Sequence, residues 1–257
     1  MTSKQKTAIV TGGLSGMGCA IAKRLADDGA TVIVGARSGG DDAKVRTALG
    51  DHYGTIHAAP LDVCSSDSVN AFVAQVADDH GGVDILINAA GVYDEAAIID
   101  HPDQIWLDQI DTNLSGTFRM IRAVMPHMRA AGWGRIVNLA SVAAHNGMAN
   151  NAAYCASKAG LLGLGRCVSL EGAAHGVTCV SISPTWVETE MLTQFIEADM
   201  ATTGQSREQV RADYAKSNPQ NQLVQPEEVA ELAAFLVSDA ARALTMEDYQ
   251  VNAGSLW

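Results

Sequence analysis

Thr11-Gly12-Gly13-Leu14-Ser15-Gly16-Met17-Gly18 ends the short β-branched run Thr7–Thr11 and opens a helical stretch over 16–28. Strand, glycine turn, helix is how an open α/β sheet begins. Gly12 permits the sharp turn, Gly16 lets backbone approach a pyrophosphate, and Gly18 brings helix close to strand. Phosphates would then sit on free amides at the helix N-terminus, around Ser15, Gly16 and Met17. The spacing is G-x-x-x-G-x-G, which a purely structural turn could also show. Its place directly after the first strand favours a dinucleotide site.

Outward from this turn the chain keeps the same rhythm. Strands are predicted at 7–11, 31–35, 55–61, 84–88, 135–140, 177–183 and 249–252, several apolar almost throughout, as strands covered on both faces should be. Helices are predicted at 16–28, 66–80, 102–128, 151–175 and 226–238; the last starts on Pro226 followed by Glu227-Glu228, acids at the positive end of the helix dipole. Such alternation predicts right-handed crossovers and a parallel sheet with helices on both faces. The stretch 188–218 is too long for one crossover and reads as a helical flap over the strands' carboxyl ends, or as a plain surface hairpin.

Composition narrows the function. The 257 residues carry 17 Lys and Arg against 29 Asp and Glu, a net charge of −12. That field repels phosphate backbones and anionic bilayers, so neither nucleic acid nor membrane is an expected partner. No apolar run approaches the roughly 18 residues that span a bilayer. Five cysteines at odd count, with no C-x-x-C and no secretory leader, read as buried thiols of a cytoplasmic protein. No metal site is expected.

At the end of the second strand, NAD-binding folds place an acid on the adenosine ribose. Here Ala36 stands in that region, followed by Arg37 and Ser38, a guanidinium fork and a hydroxyl suited to a 2′-phosphate. NADP(H) is therefore favoured and NAD(H) remains possible, since Asp41 and Asp42 could lie near and Arg37 could be an ordinary surface cation. Asp62-Val63 follows the third strand and could meet the adenine; Asn88, Ala89 and Gly91 follow the fourth and offer an amide and close backbone approach. Tyr154 and Lys158 stand one helical turn apart on one face. A phenol is a poor base at neutral pH, and a neighbouring ammonium favours its phenolate. Ser141, directly after the run 135–140, reaches the same sheet edge, and Asn113 lies in the preceding helix.

Taken together, residues 11–18, Asn88-Ala89-Ala90-Gly91, Asn113, Ser141, Tyr154-x-x-x-Lys158 and 184–189 resemble the short-chain dehydrogenase/reductase family, in its single-domain Y-x-x-x-K branch. The resemblance covers the whole chain. It implies a Rossmann-type, doubly wound, seven-stranded parallel sheet forming one dinucleotide-binding and catalytic domain over 1–257, and hydride exchange between a nicotinamide and a carbonyl carbon. By the same resemblance Tyr154 is the general acid or base, Ser141 binds the substrate oxygen, Lys158 holds the nicotinamide ribose and lowers the Tyr154 pKa, and Asn113 anchors a relay water. Pro184, Val187 and Thr189 match positions that hold the carboxamide. The family's Pro-Gly after strand six reads Pro184-Thr185 here, its Asp-Gly-Gly reads Asn252-Ala253-Gly254, and its Thr-Gly reads Thr245-Met246, which puts the C-terminal turn in doubt.

Tyr93, Val142, His145, Met148, Trp186, Met191 and Phe195 are the candidate substrate pocket, although His145 could equally be an exposed loop residue. No Lys or Arg stands between 185 and 205, so a carboxylate or phosphate clamp is not expected there. Ketoacyl reductases serving carrier proteins often show an arginine where Leu170 stands; Arg129 alone could dock a carrier. The expected activity is reduction of a moderately apolar ketone, or oxidation of the matching secondary alcohol. The alternatives are an NAD-dependent secondary-alcohol or hydroxyacid dehydrogenase and, more remotely, a non-enzymatic cofactor sensor. A homotetramer is the family expectation, through the helices at 102–128 and 151–175 and the last strand.

Overall fold

A computed structural model describes residues 5–255. Its first half runs β1 (Thr7–Thr11), α1 (Gly16–Asp27), β2 (Thr31–Ala36), α2 (Asp42–Leu49), β3 (His57–Pro60), α3 (Ser66–His80), β4 (Ile85–Asn88). It continues α4 (Asp103–Gln109), α5 (Thr117–Ala131), β5 (Gly134–Leu139), α6 (Ala152–Gly172), β6 (Val177–Pro184), α7 (Glu190–Thr203), α8 (Arg207–Lys216), α9 (Pro226–Val237) and β7 (Asp248–Val251). The strands form one parallel sheet in the order β3-β2-β1-β4-β5-β6-β7. All seven predicted strands are present, each within a few residues of its expected ends.

The period of two along each strand divides the core. Ala8 and Val10 join Val34, Ile87 and Leu139 on the face covered by α1 and α9. Ile9 points the other way and joins Ile33, Leu86 and Ile136 under α3 and α5. Ile9, Leu86 and Ile87 are fully buried; removing such a side chain down to alanine costs about 2–5 kcal/mol. Both faces are covered, so polar strand side chains such as Thr7, Asn138 and Ser183 are buried. Thr11 pairs in register with Gly35 and with Asn88, which in turn pairs with Asn138. The strands' carboxyl ends therefore finish level, and the order reverses between β1 and β4, where open α/β sheets bind ligands.

Three features depart from the predicted elements. The single helix expected at 102–128 is interrupted: Ile110–Gly116 widens into a π-helical turn between α4 and α5. That turn drives Asn113 inward, to 1% exposure. The helix α2 was not foreseen, yet its signals are local: the Asp41 side chain accepts from Lys44 N at 3.2 Å, and Gly50 closes the helix. The doubtful C-terminal turn does form. Met246 and Ala253 hold φ of 70° and 47°, the left-handed region, without glycine. Thr185 needs no such conformation and donates its amide to Val251 O at 3.1 Å. No helix among the described residues is long and apolar enough to cross a membrane.

The stretch 188–218 forms two helices, α7 and α8, separated by the left-handed Gly204. They share a small core of Leu192, Ile196, Val210, Ala215 and Leu223, with Trp186 and Phe195 packed against it.

Candidate functional site

Four loops leave the level strand ends and meet. After β1, Gly12 turns at φ 67°, and a Cβ there would stand 2.9 Å from Ala90 Cα. A Cβ at Gly18 would strike Gly12 O at 2.6 Å, so the helix lies on the turn as its glycine predicted. After β4, Thr11 Oγ1 accepts from both Ala89 N and Ala90 N at 3.1 Å. Thr11, the first residue of the 11–18 motif, is thus a builder of the site to which the sequence reading gave no role. Asn88 departs from expectation: its amide donates to Asn138 Oδ1 at 2.9 Å and is buried in the sheet. Asn88 and Ala89 shape the loop, and neither lines the nucleotide recess.

That recess encloses about 440 Å³ and brings together Gly12, Ser15, Arg37, Ser38, Asp62, Val63 and Gly91, with Thr112 as an unforeseen member. Asp62 Oδ1 accepts from Cys64 N at 2.9 Å, which fixes its loop. Arg37 is exposed and makes no ion pair among the described residues, whereas Asp41 pairs with Lys44 at 3.5 Å and Asp42 with Arg46 at 3.4 Å. The two acids that could have opposed a phosphate are engaged elsewhere. At the start of α1, Gly16 N donates to Glu190 Oε2 at 3.1 Å. A carboxylate oxygen already occupies the direction of the helix's free amides, so the residues present fit the anionic pyrophosphate of NAD(P).

The second recess is small, about 140 Å³, and holds Ser141 and Tyr154. Tyr93, Val142, Met148, Trp186, Met191 and Phe195 line it, together with Met17, Pro184, Val187 and Thr189. Among the described residues, no Lys, Arg, His, Asp or Glu lines it. The Tyr93 ring meets Tyr154 edge-on at 4.9 Å and Phe195 at 4.6 Å, and Trp186 meets Phe195 at 5.8 Å. The Tyr93 hydroxyl donates to Glu95 Oε1 at 2.5 Å; burial and this carboxylate push its pKa well above the ordinary phenol range. His145 is a correction: its Nε2 lies 2.6 Å from Asp248 Oδ2, and it lines a different recess.

Ser141 stands in extended backbone directly after β5, where its Oγ accepts from Ala143 N at 3.1 Å. Burial pushes the Tyr154 phenol up to about 12, and the hydrogen-bonding Ser141 hydroxyl opposes the rise. Lys158 Nζ donates to Leu139 O at 2.7 Å and lies 5.6 Å from the centroid of the Tyr154 ring. Burial lowers the lysine to about 8. Burial thus sets the direction at both groups, raising the phenol and lowering the ammonium. Asn113 clamps the β4 loop: its Oδ1 accepts from Val92 N at 2.8 Å and its Nδ2 donates to Val92 O at 2.9 Å. The same Nδ2 reaches Ser157 Oγ at 3.1 Å, which donates to Tyr154 O at 2.8 Å. Ser157, fully buried, is a support that the sequence reading missed; it sits inside the Tyr-x-x-x-Lys turn as one of the unspecified positions.

The family model described as short chain dehydrogenase matches residues 6–200. D-beta-hydroxybutyrate dehydrogenase of Rhizobium meliloti (strain 1021) is 38% identical over 254 residues, covering 97% of this chain and 98% of its own. The 3-oxoacyl-[acyl-carrier-protein] reductase FabG of Vibrio cholerae serotype O1 is 35% identical, covering 99% of this chain and 98% of its own. A crystal structure of a variant actinorhodin polyketide ketoreductase with NADPH superposes at a TM-score of 0.91, with 35% identity over 99% of this chain and 98% of that one. With the seven parallel strands and the convergent loops in place, these matches make the chain a member of the short-chain dehydrogenase family, an oxidoreductase acting on hydroxyl and keto groups.

Proposed function

We propose that the protein is an NADP(H)-dependent carbonyl reductase acting reversibly on an uncharged, moderately apolar ketone. The observation that carries this reading is the position of Ser141 and Tyr154 in a recess with aromatic walls and, among the described residues, no charged lining side chain. When bound, the nicotinamide supplies hydride-transfer chemistry at the carbonyl carbon. Tyr154, protonated at neutral pH as any phenol is and held further in that form by burial, donates its proton to the carbonyl oxygen as negative charge develops there. Ser141 Oγ hydrogen-bonds the same oxygen and stabilises that charge. In the reverse direction the Tyr154 phenolate accepts the alcohol proton, so oxidation gains and reduction loses as pH rises. Lys158, held by Leu139 O, carries most of its charge at pH 7 and faces the ribose side of the site. Asn113 keeps the β4 loop on Ser157 and so keeps Tyr154 in place.

Arg37 supports the 2′-phosphate of NADP(H) because it is exposed and unpaired among the described residues, with Ser38 beside it in the same recess. The flap α7–α8 covers the substrate side through Met191 and Phe195. The exposed Leu107, Phe118 and Leu170, on α4, α5 and α6, support the homotetramer expected through these helices. The five unpaired thiols fit a cytoplasmic protein.

The identity with D-beta-hydroxybutyrate dehydrogenase favours a second reading, an NAD-dependent hydroxyacid dehydrogenase. A carboxylate substrate, however, would find no cation among the described residues that line the recess. Initial rates with NADPH and with NADH separate the two readings across aryl and cyclic ketones, β-keto esters, acetoacetate and acetoacetyl thioesters. Fastest turnover of an uncharged ketone with NADPH is expected. Fastest turnover of acetoacetate with NADH overturns the reading in favour of the second.

A further inference from the structure

The turn that carries Ser141 is too short to hold itself. It closes with Ala144 N donating to Ser141 O at 2.8 Å and His145 N donating to Val142 O at 3.0 Å. A three-residue 3₁₀ turn of this kind has poor hydrogen-bond geometry and no further turn to extend it. The Ser141 hydroxyl takes its direction from the turn, because Ala143 N donates to it. The far end of the turn is fastened to the sheet: His145 Nε2 lies 2.6 Å from Asp248 Oδ2, and Ser183 Oγ donates to Asp248 Oδ1 at 2.8 Å. The Asp248 side chain is 13% exposed and both its oxygens are used. Ser183 is fully buried in β6, and Asp248 opens β7. Arg166 and Glu247 line the same recess as this pair, which is separate from the recess of Tyr154.

We propose that His145 and Asp248 are positioning residues: they tie the Ser141 turn to the β6–β7 edge and thereby set the direction of the Ser141 hydroxyl. The inference rests on the reading of Ser141 as the group that binds the substrate oxygen. Neither residue touches that oxygen; misdirecting the hydroxyl by a fraction of its length is enough to slow the reaction.

The test is a double-mutant cycle on the full chain with the best ketone and NADPH. His145→Ala and Asp248→Asn should each lower kcat by about tenfold, while KM and the cofactor Kd stay within about twofold. His145→Gln, which keeps a donor toward the carboxylate, should recover most of the rate and guards against a folding defect in the alanine variant. In a Ser141→Ala background, His145→Ala should change kcat by less than about twofold, because the hydroxyl it directs is gone. Unchanged kcat in the single variants, or an equal loss with and without Ser141, overturns the proposal alone. A Ser141→Ala protein with undiminished rate overturns the site reading as well.

Discussion

The nucleotide edge and the substrate edge of this sheet are built by different means. Around the nucleotide recess the backbone does the positioning, and glycine stands at both left-handed points of the first turn, Gly12 at φ 67° and Gly16 at φ 48°. Around the substrate recess side chains do it, drawn from five separate segments that contribute Tyr93, Met148, Tyr154, Trp186 and Phe195. Among the left-handed points beyond β6, glycine holds 204 and 254, but Asn221, Met246 and Ala253 take the others. A backbone-built site demands particular residues at fixed spacing, whereas a side-chain-built site demands only that distant segments arrive together. The first edge should therefore respond to substitutions by cofactor, and the second by rate.

The largest effect is expected at the substrate edge. Tyr154→Phe removes the transferable proton and should lower ketone reduction by about 10²–10⁴, with NADPH affinity and melting temperature nearly unchanged. Cofactor titration by fluorescence beside initial rates checks the split; a comparable loss of NADPH binding would merge the two edges into one functional unit. Next comes the nucleotide edge. Arg37→Ala should weaken NADPH by about 10–100-fold through loss of charge-assisted hydrogen bonds, and leave NADH almost unaffected. Equal losses for both cofactors would make Arg37 a surface cation and return the acid-free end of β2 to an open question.

This division also explains what is legible in the sequence. Ser141 and the Tyr154–Lys158 pair rest on the order of several motifs along the chain, while the succession of strands and the glycine turn were legible from spacing within a few residues. The π-helical turn at Ile110–Gly116 was not: Asn113 is pulled inward by Val92 and Ser157, one 21 residues before it and one 44 after. His145 was misplaced for the same reason. Nothing near it in sequence announces Asp248, 103 residues away, and a loop histidine after Ser141 looks local to the substrate. Asn88 is expected beside the cofactor because it ends a strand; that its amide is engaged by Asn138, level with it on the next strand, is not legible from the motif. The burial that raises the Tyr154 phenol has a different origin, since desolvation depends on everything packed around it and no motif carries that information.

One contact joins the two edges, and it gives a smaller effect. Glu190 opens α7 on the substrate side, and its carboxylate accepts from Gly16 N on the nucleotide side. It sits where the amides at the start of α1 attract an anion, so the pyrophosphate and this carboxylate compete for one place. Glu190→Gln keeps the shape and removes the charge. A charge at a helix N-terminus is worth about 0.3–1 kcal/mol at an exposed site, so NADPH should bind about two- to fivefold more tightly. Weaker binding in the variant would mean that Glu190 assists the cofactor instead of yielding to it.

The smallest effect isolates the backbone difference itself. Ala253 holds φ 47° in the turn after β7, a conformation that disfavours any residue with a Cβ. Its carbonyl accepts from Gln220 N at 3.1 Å, and Gly254 N donates to Asn252 Oδ1 at 3.1 Å, so the turn is held from both sides. Ala253→Gly relieves about 1 kcal/mol or more of steric cost, and returns part of it through the greater freedom of the unfolded chain and a lost methyl contact. A net gain of about 0.5 kcal/mol follows, a rise of roughly 1–2 °C in melting temperature. Activity should not move, because the turn lies outside the recess of Ser141 and Tyr154. A lower melting temperature would show that the Ala253 methyl, packed against the core beneath α9, outweighs the backbone penalty. The substrate edge would then have exchanged glycine's freedom for side-chain packing even in its turns.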